Sequence, residues 1–311
     1  MTALEGDRNA AAAPVPAFRS AALEDDRNAA AVPVPAPRFG GLGRAAAFVG
    51  AVFAPHVHVT YAVLWAAAYE ALVHGGGWRP TGGTALRAAT VLAMLLYLRL
   101  IDEHKDEAYD RVHNPDRPLV IGLVTAAELR RAGRIVIVIV LAANVFYAPS
   151  SAVVAAAFFG YAAVVTPLER RFSLLRDRPL VNIAFVYPVQ LLIGAFLAVS
   201  AGSYGVRQLL VFAFAFLHFE FARKTARDAA PGSRMYSSTG LGATGCALLT
   251  LGFAVAACAL TGLLWAYTVL VFPLWGAGVF LSRRVAAWPK PAAMLFLIVL
   301  YAGLIVDGAV G

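Results

Sequence analysis

The sequence predicts an all-α membrane protein, a nine-transmembrane-helix bundle, and three observations carry that expectation. Of the 311 residues, 60% are hydrophobic and 14% charged, where an average soluble domain has about 45–50% apolar and about 25% charged residues. The mean hydropathy is +0.70. Apolar stretches recur along the chain at lengths near the roughly 20 residues that a bilayer-spanning helix takes. Together these exclude an ordinary soluble enzyme.

At the start of the chain, residues 3–19 (ALEGDRNAAAAPVPAFR) and 22–38 (ALEDDRNAAAVPVPAPR) are near-copies at a period of 19. Their alanine runs are cut by Asp, Glu, Arg and Pro, so no signal-peptide core forms and no apolar face is offered for burial. Residues 1–44 are expected to be a disordered cytoplasmic tail, followed by a transmembrane domain over 45–311. Its apolar stretches are 45–73, 85–104, 133–148, 150–166, 180–200, 206–222, 240–262, 264–282 and 291–308.

Short connections alternate with longer polar ones, and of the 26 Lys and Arg residues 17 fall at four longer connections: 105–134, 170–178, 223–234 and 283–290. The positive-inside rule therefore places the tail and these loops in the cytoplasm. The formal charge of +8 reflects topology and an anionic leaflet or substrate, not nucleic acid. Cys246 and Cys258 lie on one apolar stretch, about 18 Å apart if helical, too far for a disulfide.

Acidic residues concentrate after the second stretch, in Asp102-Glu103-His104-Lys105-Asp106-Glu107-Ala108-Tyr109-Asp110. On a continuing helix Asp102, Asp106 and Asp110 share one face, and like charges at that spacing repel unless a cation sits among them. Carboxylates, waters and phosphate oxygens are the usual Mg²⁺ ligands; a solvated helix end neutralised by Arg99, Lys105 and Arg111 is the other reading. The Asn114-Pro115-Asp116-Arg117-Pro118 segment ends the helix and brings Arg111 and Arg117 near the acids, an arrangement suited to a metal-bridged polyphosphate.

These residues resemble a known family. RLIDEHKDEAYDRVHNPDRPLVIG is similar to the first aspartate-rich motif of the UbiA superfamily of intramembrane prenyltransferases, N-D-x-x-D-x-x-x-D followed by Arg-Pro and Gly. Asp102 takes the Asn position, Glu103 the first Asp, Asp106 and Asp110 the others, and Arg117-Pro118 and Gly122 match the loop. Thr166-Pro167-Leu168-Glu169-Arg170-Arg171-Phe172-Ser173 looks like the family's Tyr-Pro-x-x-Lys-Arg-Phe-Thr segment, with Arg170 in place of the diphosphate-binding lysine. HFEFARKTARDAAPG occupies the place of the second aspartate-rich motif, with Glu220, Lys224 and Asp228 at i, i+4, i+8. There Lys224 either pairs with the two acids or contacts a diphosphate directly, replacing part of a metal's role.

The resemblance implies an all-helical intramembrane bundle with a central cavity, capped by the cytoplasmic loops after the second and sixth spans. It implies Mg²⁺ held by Asp102, Glu103, Asp106, Asp110, Glu220 and Asp228. It also implies an isoprenyl diphosphate bound by Arg111, Arg117, Arg170, Arg171, Arg223, Lys224 and Arg227, and a lipophilic acceptor. Asp102, Asp106, Asp110, Glu220 and Asp228 are the catalytic candidates. Prenyl transfer is the first expectation and terpene cyclisation the second; a non-catalytic protein or transporter with a cation site is the third. Elsewhere, His56 and His58 are expected to pack, Asn182 and Gln190 to bond between helices or orient a substrate, and one or two of Phe212, Phe214, Phe216, Phe219 and Phe221 to line a cavity. Asp307 has no partner visible in the sequence.

Overall fold

The computed structural model describes residues 41–229 and 235–311. The repeat-bearing tail lies outside them, except for residues 41–44. These open α1 (Gly41–Val52), so the helical region begins ahead of the expected boundary at 45.

Every expected apolar stretch is helical, but three are broken, each where the sequence interrupts the backbone ladder. The first is α1 plus α2 (Pro55–His74), bent by 69°. Pro55 has no N–H for that ladder, and Ala54 ahead of it takes a left-handed conformation, φ 41°. Next come α3 (Gly82–Lys105), the short α4 (Glu107–His113), α5 (Ala126–Tyr147) and α6 (Pro149–Arg171). α5 starts seven residues before its apolar stretch. Thr125 and Glu128 form a capping box there, satisfying two otherwise orphaned backbone donors. α7 (Ser173–Asp177) leads into α8 (Pro179–Val186) and α9 (Pro188–Ser200), broken at Pro188. α10 (Val206–Arg223), α11 (Gly242–Thr261), a 3₁₀ segment (Leu264–Leu270) running into α12 (Val271–Leu281), and α13 (Lys290–Val310) complete the chain.

Six of these elements are long and apolar enough to cross a membrane, and the bent α1–α2 pair makes up to seven. The expected count of nine is not reached on length and composition. α5 carries Glu128, Arg130, Arg131 and Arg134 in its first turns, and α10 carries Arg207, Glu220 and Arg223. The outward faces are apolar: Val138 is 65% exposed, Phe146 90% and Val153 70%, a surface suited to lipid rather than water. The chain is an integral membrane protein.

The helices close into a ring in which α2 packs on α3, α3 on α5, α5 on α6, α6 on α9, and α9 on α10. The ring continues through α11 and α12 to α13, which returns to α2. Lipid tails remove the hydrophobic force between helices, so close approach has to hold them. Gly308 shows this: a Cβ there would meet the Ala71 Cβ and carbonyl oxygen at 2.8 Å, so α13 lies on α2 because no side chain intervenes. Inside the ring Trp65, Tyr69, Met94, Phe158, Phe196, Phe212, Phe296 and Tyr301 are buried together. Cys246 and Cys258 are buried and free.

The four basic connections gather at one end. Three line a common cavity, and the fourth joins the third through an antiparallel bridge, Ala226 to Ala287. The far end is sealed by a buried network. Glu70 accepts from Arg87 at 2.7 Å, Thr84 Oγ1 at 2.6 Å and the Trp78 indole at 3.3 Å; Arg87 also donates to the side chain and carbonyl of Ser200. This ties α2, α3 and α9 together with each charge matched. Asp307 finds its partner near the same end, accepting from the Trp265 indole at 2.9 Å.

Removing one member of a buried pair costs about 3–5 kcal/mol, because the other charge stays buried alone. Arg87→Met is therefore expected to lower the unfolding midpoint in detergent sharply, and adding Glu70→Leu to restore part of the loss. An unchanged midpoint for Arg87→Met would contradict the role assigned to the pair.

Candidate functional site

The loop end encloses a cavity of about 1070 Å³. The C-terminal turn of α3 and the start of α4 form one wall, with Asp102, Lys105, Asp106, Tyr109 and Arg111. A second wall comes from α6 to α8, with Glu169, Arg170, Arg176 and Asn182, and the third from α10 and the loop after it, with Glu220, Arg223, Lys224 and Tyr236. Deeper in, the lining changes to Ile183, Val186, Tyr187, Val189, Gln190 and Phe216. Seven Lys and Arg side chains line the cavity against five carboxylates, so the space is cationic overall.

Both acidic motifs depart from the expected spacing. α3 ends at Lys105; Asp106, with φ of −89° and ψ of 3°, leaves the helical region, and α4 begins at Glu107. Asp102 and Asp106 consequently line the cavity, whereas Asp110 turns away and is buried. There it accepts from Asn114 Nδ2 at 2.7 Å and faces Arg117 at 3.8 Å. Glu103, 2% exposed, sits behind the wall, pairing with Arg99 and Arg117 at 3.0 Å each. Its other oxygen, Oε2, is buried and among the described residues has no hydrogen-bond partner. Arg117 thereby pins the segment after α4, and Leu119, Leu123 and Val124 of that segment bury against Phe48 and Phe53.

At the second motif α10 stops at Arg223, with Lys224 as its C-cap. The chain leaves the helix because Thr225 O accepts from Trp288 N and Arg227 N donates to Ala286 O, pairing it with residues 286–288 through an isolated β-bridge. Asp228 is exposed in the turn beyond and is not in the cavity lining; the i+8 relation to Glu220 does not exist. Arg227 points to the opposite side, donating to the Phe280 and Leu281 carbonyls that end α12 and lying 4.6 Å from the Phe280 ring. Arg171 too lies off the cavity wall.

Glu220 holds two cations in place. Its Oε2 meets Arg223 at 2.5 Å, and its Oε1 meets Lys224 at 3.0 Å and the Tyr236 hydroxyl at 2.9 Å. Burial first, then the charge of Glu220, push the Tyr236 hydroxyl far above the usual phenol range, so it remains a donor. Lys224 lies 4.7 Å from the Tyr236 ring centre, a distance for cation–π attraction. Across the cavity, Glu169 accepts from Lys105 at 3.1 Å and from Asn182, and Arg170 donates to the His104 carbonyl at 2.5 Å. Arg111 pairs with Glu107 at 2.7 Å at the rim.

The structure thus brings together Asp102, Asp106, Arg111, Arg170, Glu220, Arg223 and Lys224. It sets apart Glu103, Asp110 and Arg117 as a supporting cluster, and directs Arg171, Arg227 and Asp228 elsewhere. Glu169, Tyr187 and Tyr236 lie outside the expected set. Glu169 stands beside Arg170 in its motif, a signal available in the sequence; Tyr236 is reached only by the fold. Of the phenylalanines in α10, Phe216 lines the cavity and Phe212 packs on Tyr69 and Tyr301. His58 stacks on Phe53, as packing requires.

The donor set fits a divalent cation that arrives with phosphate oxygens. Asp102 and Asp106 offer carboxylates from one wall, and Mg²⁺ is typically held by one or two carboxylates plus substrate phosphates. Among the described residues no cluster of three metal-ligating side chains is preassembled.

Glu103→Gln removes the charge that both Arg99 and Arg117 share. The variant is expected to lose stability and to be cut faster by thermolysin within residues 119–124, whose apolar side chains lie against Phe48 and Phe53; protection equal to that of the wild type would show that the pair does not pin the segment.

No family model and no curated protein matches the chain. Among solved structures it is similar to the apo structure of a UbiA homolog from Aeropyrum pernix K1. The TM-score is 0.59 at 17% identity, covering 80% of this chain and 97% of that one. The chain has the UbiA fold.

Proposed function

We propose that this protein is a UbiA-superfamily prenyltransferase that ionises an isoprenyl diphosphate inside the membrane and transfers the prenyl group to a lipophilic, aromatic acceptor. One observation carries the reading: a single cavity joins a cationic rim to an apolar, aromatic floor. That is the shape of a substrate with a polyanionic head and a hydrocarbon chain. A transporter for a simple cation has no use for Arg170, Arg223 and Lys224 on the walls.

In this reading Lys224, Arg223 and Arg170 bind the diphosphate, with Arg111 at the rim. Arginine grips phosphate oxygens through two N–H groups at once, and lysine acts as a point charge. Glu220 and Tyr236 are positioning residues: by holding Arg223 and Lys224 they fix where the phosphates sit. Asp102 and Asp106 are the carboxylates that would hold Mg²⁺, which when bound supplies charge neutralisation on the departing group. The C–O bond of the substrate breaks, its electron pair leaves with the diphosphate, and the allylic cation forms away from water among Tyr187, Val189 and Phe216. Capture by the acceptor forms the new bond and releases a proton. The loops bordering the cavity face the cytoplasm, where a diphosphate substrate is available.

The aromatic floor favours a second reading, cyclisation of the same cation by its own double bonds, with π-faces steadying the charge. The wild-type product separates the two. Purified protein given geranyl, farnesyl or geranylgeranyl diphosphate with Mg²⁺ is expected to release diphosphate only with an acceptor present; a cyclic hydrocarbon made without one would establish the cyclase. Asp106→Ala is expected to slow turnover at least about 100-fold, the usual scale for losing one group that stabilises developing charge, while the protein stays folded. Lys224→Ala is expected to weaken diphosphate binding by about 10-fold or more. Full activity of Asp106→Ala, or in excess chelator, would overturn the metal assignment.

A further inference from the structure

A second pocket, about 520 Å³, lies between α3, α5 and α6. Three helix faces form it at regular spacing. α5 contributes Arg130, Gly133, Arg134 and Ile137, at i, i+3, i+4 and i+7, so they lie on one stripe. α3 presents Tyr97, Leu100, Ile101 and His104 in the same register, and α6 adds Ala163, Thr166 and Pro167. Gly133 keeps the channel walls close, since a Cβ there would already touch the Tyr97 ring at 3.4 Å.

The charge is confined to one end of this channel. Arg130 and Arg134 are exposed and, among the described residues, form no ion pair. The nearby acid Glu128 is taken by Arg44 at 2.9 Å. Directly after Arg134 the outer face of α5 becomes apolar: Ile135 is 50% exposed, Val138 65% and Ile139 61%. That change marks where hydrocarbon begins, so Arg134 stands at the lipid boundary and Arg130 about one turn above it, both at headgroup level. A small soluble anion would satisfy the arginines and leave the apolar channel beneath them unused. A molecule with a phosphate at one end and an alkyl chain at the other matches both.

We propose that this groove binds a membrane phospholipid with an anionic headgroup, its phosphate between Arg130 and Arg134 and part of an acyl chain in the channel bordered by Tyr97, Ile101 and Ile137. His104 borders both this groove and the larger cavity, so a lipid seated here supports the α3 end from which Asp102 and Asp106 project. The proposal stands independently of the reaction assigned to that cavity.

The test is lipid binding to the purified full-length protein in neutral detergent, followed by native mass spectrometry and by the unfolding midpoint. Phosphatidylglycerol is expected to bind and raise the midpoint; phosphatidylcholine with the same chains, and inorganic phosphate alone, are not. Each basic residue near a membrane surface adds about fivefold to the attraction for anionic lipid. The double variant Arg130→Gln, Arg134→Gln should therefore bind phosphatidylglycerol roughly 30-fold more weakly, with intermediate single variants. Arg131→Gln removes the same charge from the same turn but lies off the groove, and should bind as the wild type does. An equal loss in Arg131→Gln would reduce the effect to general surface charge. An equal response to inorganic phosphate would make the groove a soluble-anion site, and undiminished binding by the double variant would remove the site altogether; each of these overturns the proposal.

Discussion

Charge next to hydrocarbon has to be matched, and the loop end of this protein is organised by that constraint. Each carboxylate that leaves solvent there has a cation: Glu103 has Arg99 and Arg117, Glu169 has Lys105, and Glu220 has Arg223 and Lys224. Two of these pairs, Lys105–Glu169 and Arg117–Glu103, link separate segments. Lys105 joins α3 to α6, and Arg117 holds the segment after α4 against α3. The cavity exists because its walls are fastened by charge at the mouth and by close helix packing below.

The two ends of the bundle use the same chemistry to different effect. At the far end Glu70 and Arg87 are surrounded by Trp78, Thr84 and Ser200, and the network serves cohesion. At the loop end the cations are held from one side by carboxylates and open onto a cavity on the other. Glu220 illustrates the difference: its three partners fill both oxygens, so it orients Arg223 and Lys224 toward the space instead of acting alone. In the proposed reaction a fixed cationic wall over an aromatic floor would suit an ionising amphiphile, since preorganised charge costs no rearrangement when a diphosphate departs.

Much of this was legible in the residues. Composition and basic-loop spacing gave the membrane class and the gathering of four loops at one end, and the first acidic motif placed Asp102 and Asp106 on the cavity wall. Local reading failed where helices were assumed to continue. Pro55 and Pro188 break two stretches read as single spans, and Asp106 separates α3 from α4, which moves Asp110 behind the wall. The loss of Asp228 and Arg227 from the site has a different cause. Their segment pairs with residues 286–288, a contact from nearly 60 positions away along the chain that no periodicity could reveal. Tyr236 was hidden for the same reason, reaching Glu220 only once the loop after α10 has folded back.

The most direct test of the central claim is a structure of the protein with a non-ionisable prenyl thiodiphosphate and Mg²⁺. Phosphate oxygens are expected against Lys224, Arg223 and Arg170, with Asp102 and Asp106 as the residues that would hold the metal and the prenyl chain running toward Tyr187 and Phe216. An analogue seated elsewhere, or with its chain outside the ring and its phosphates away from Lys224, would contradict the claim.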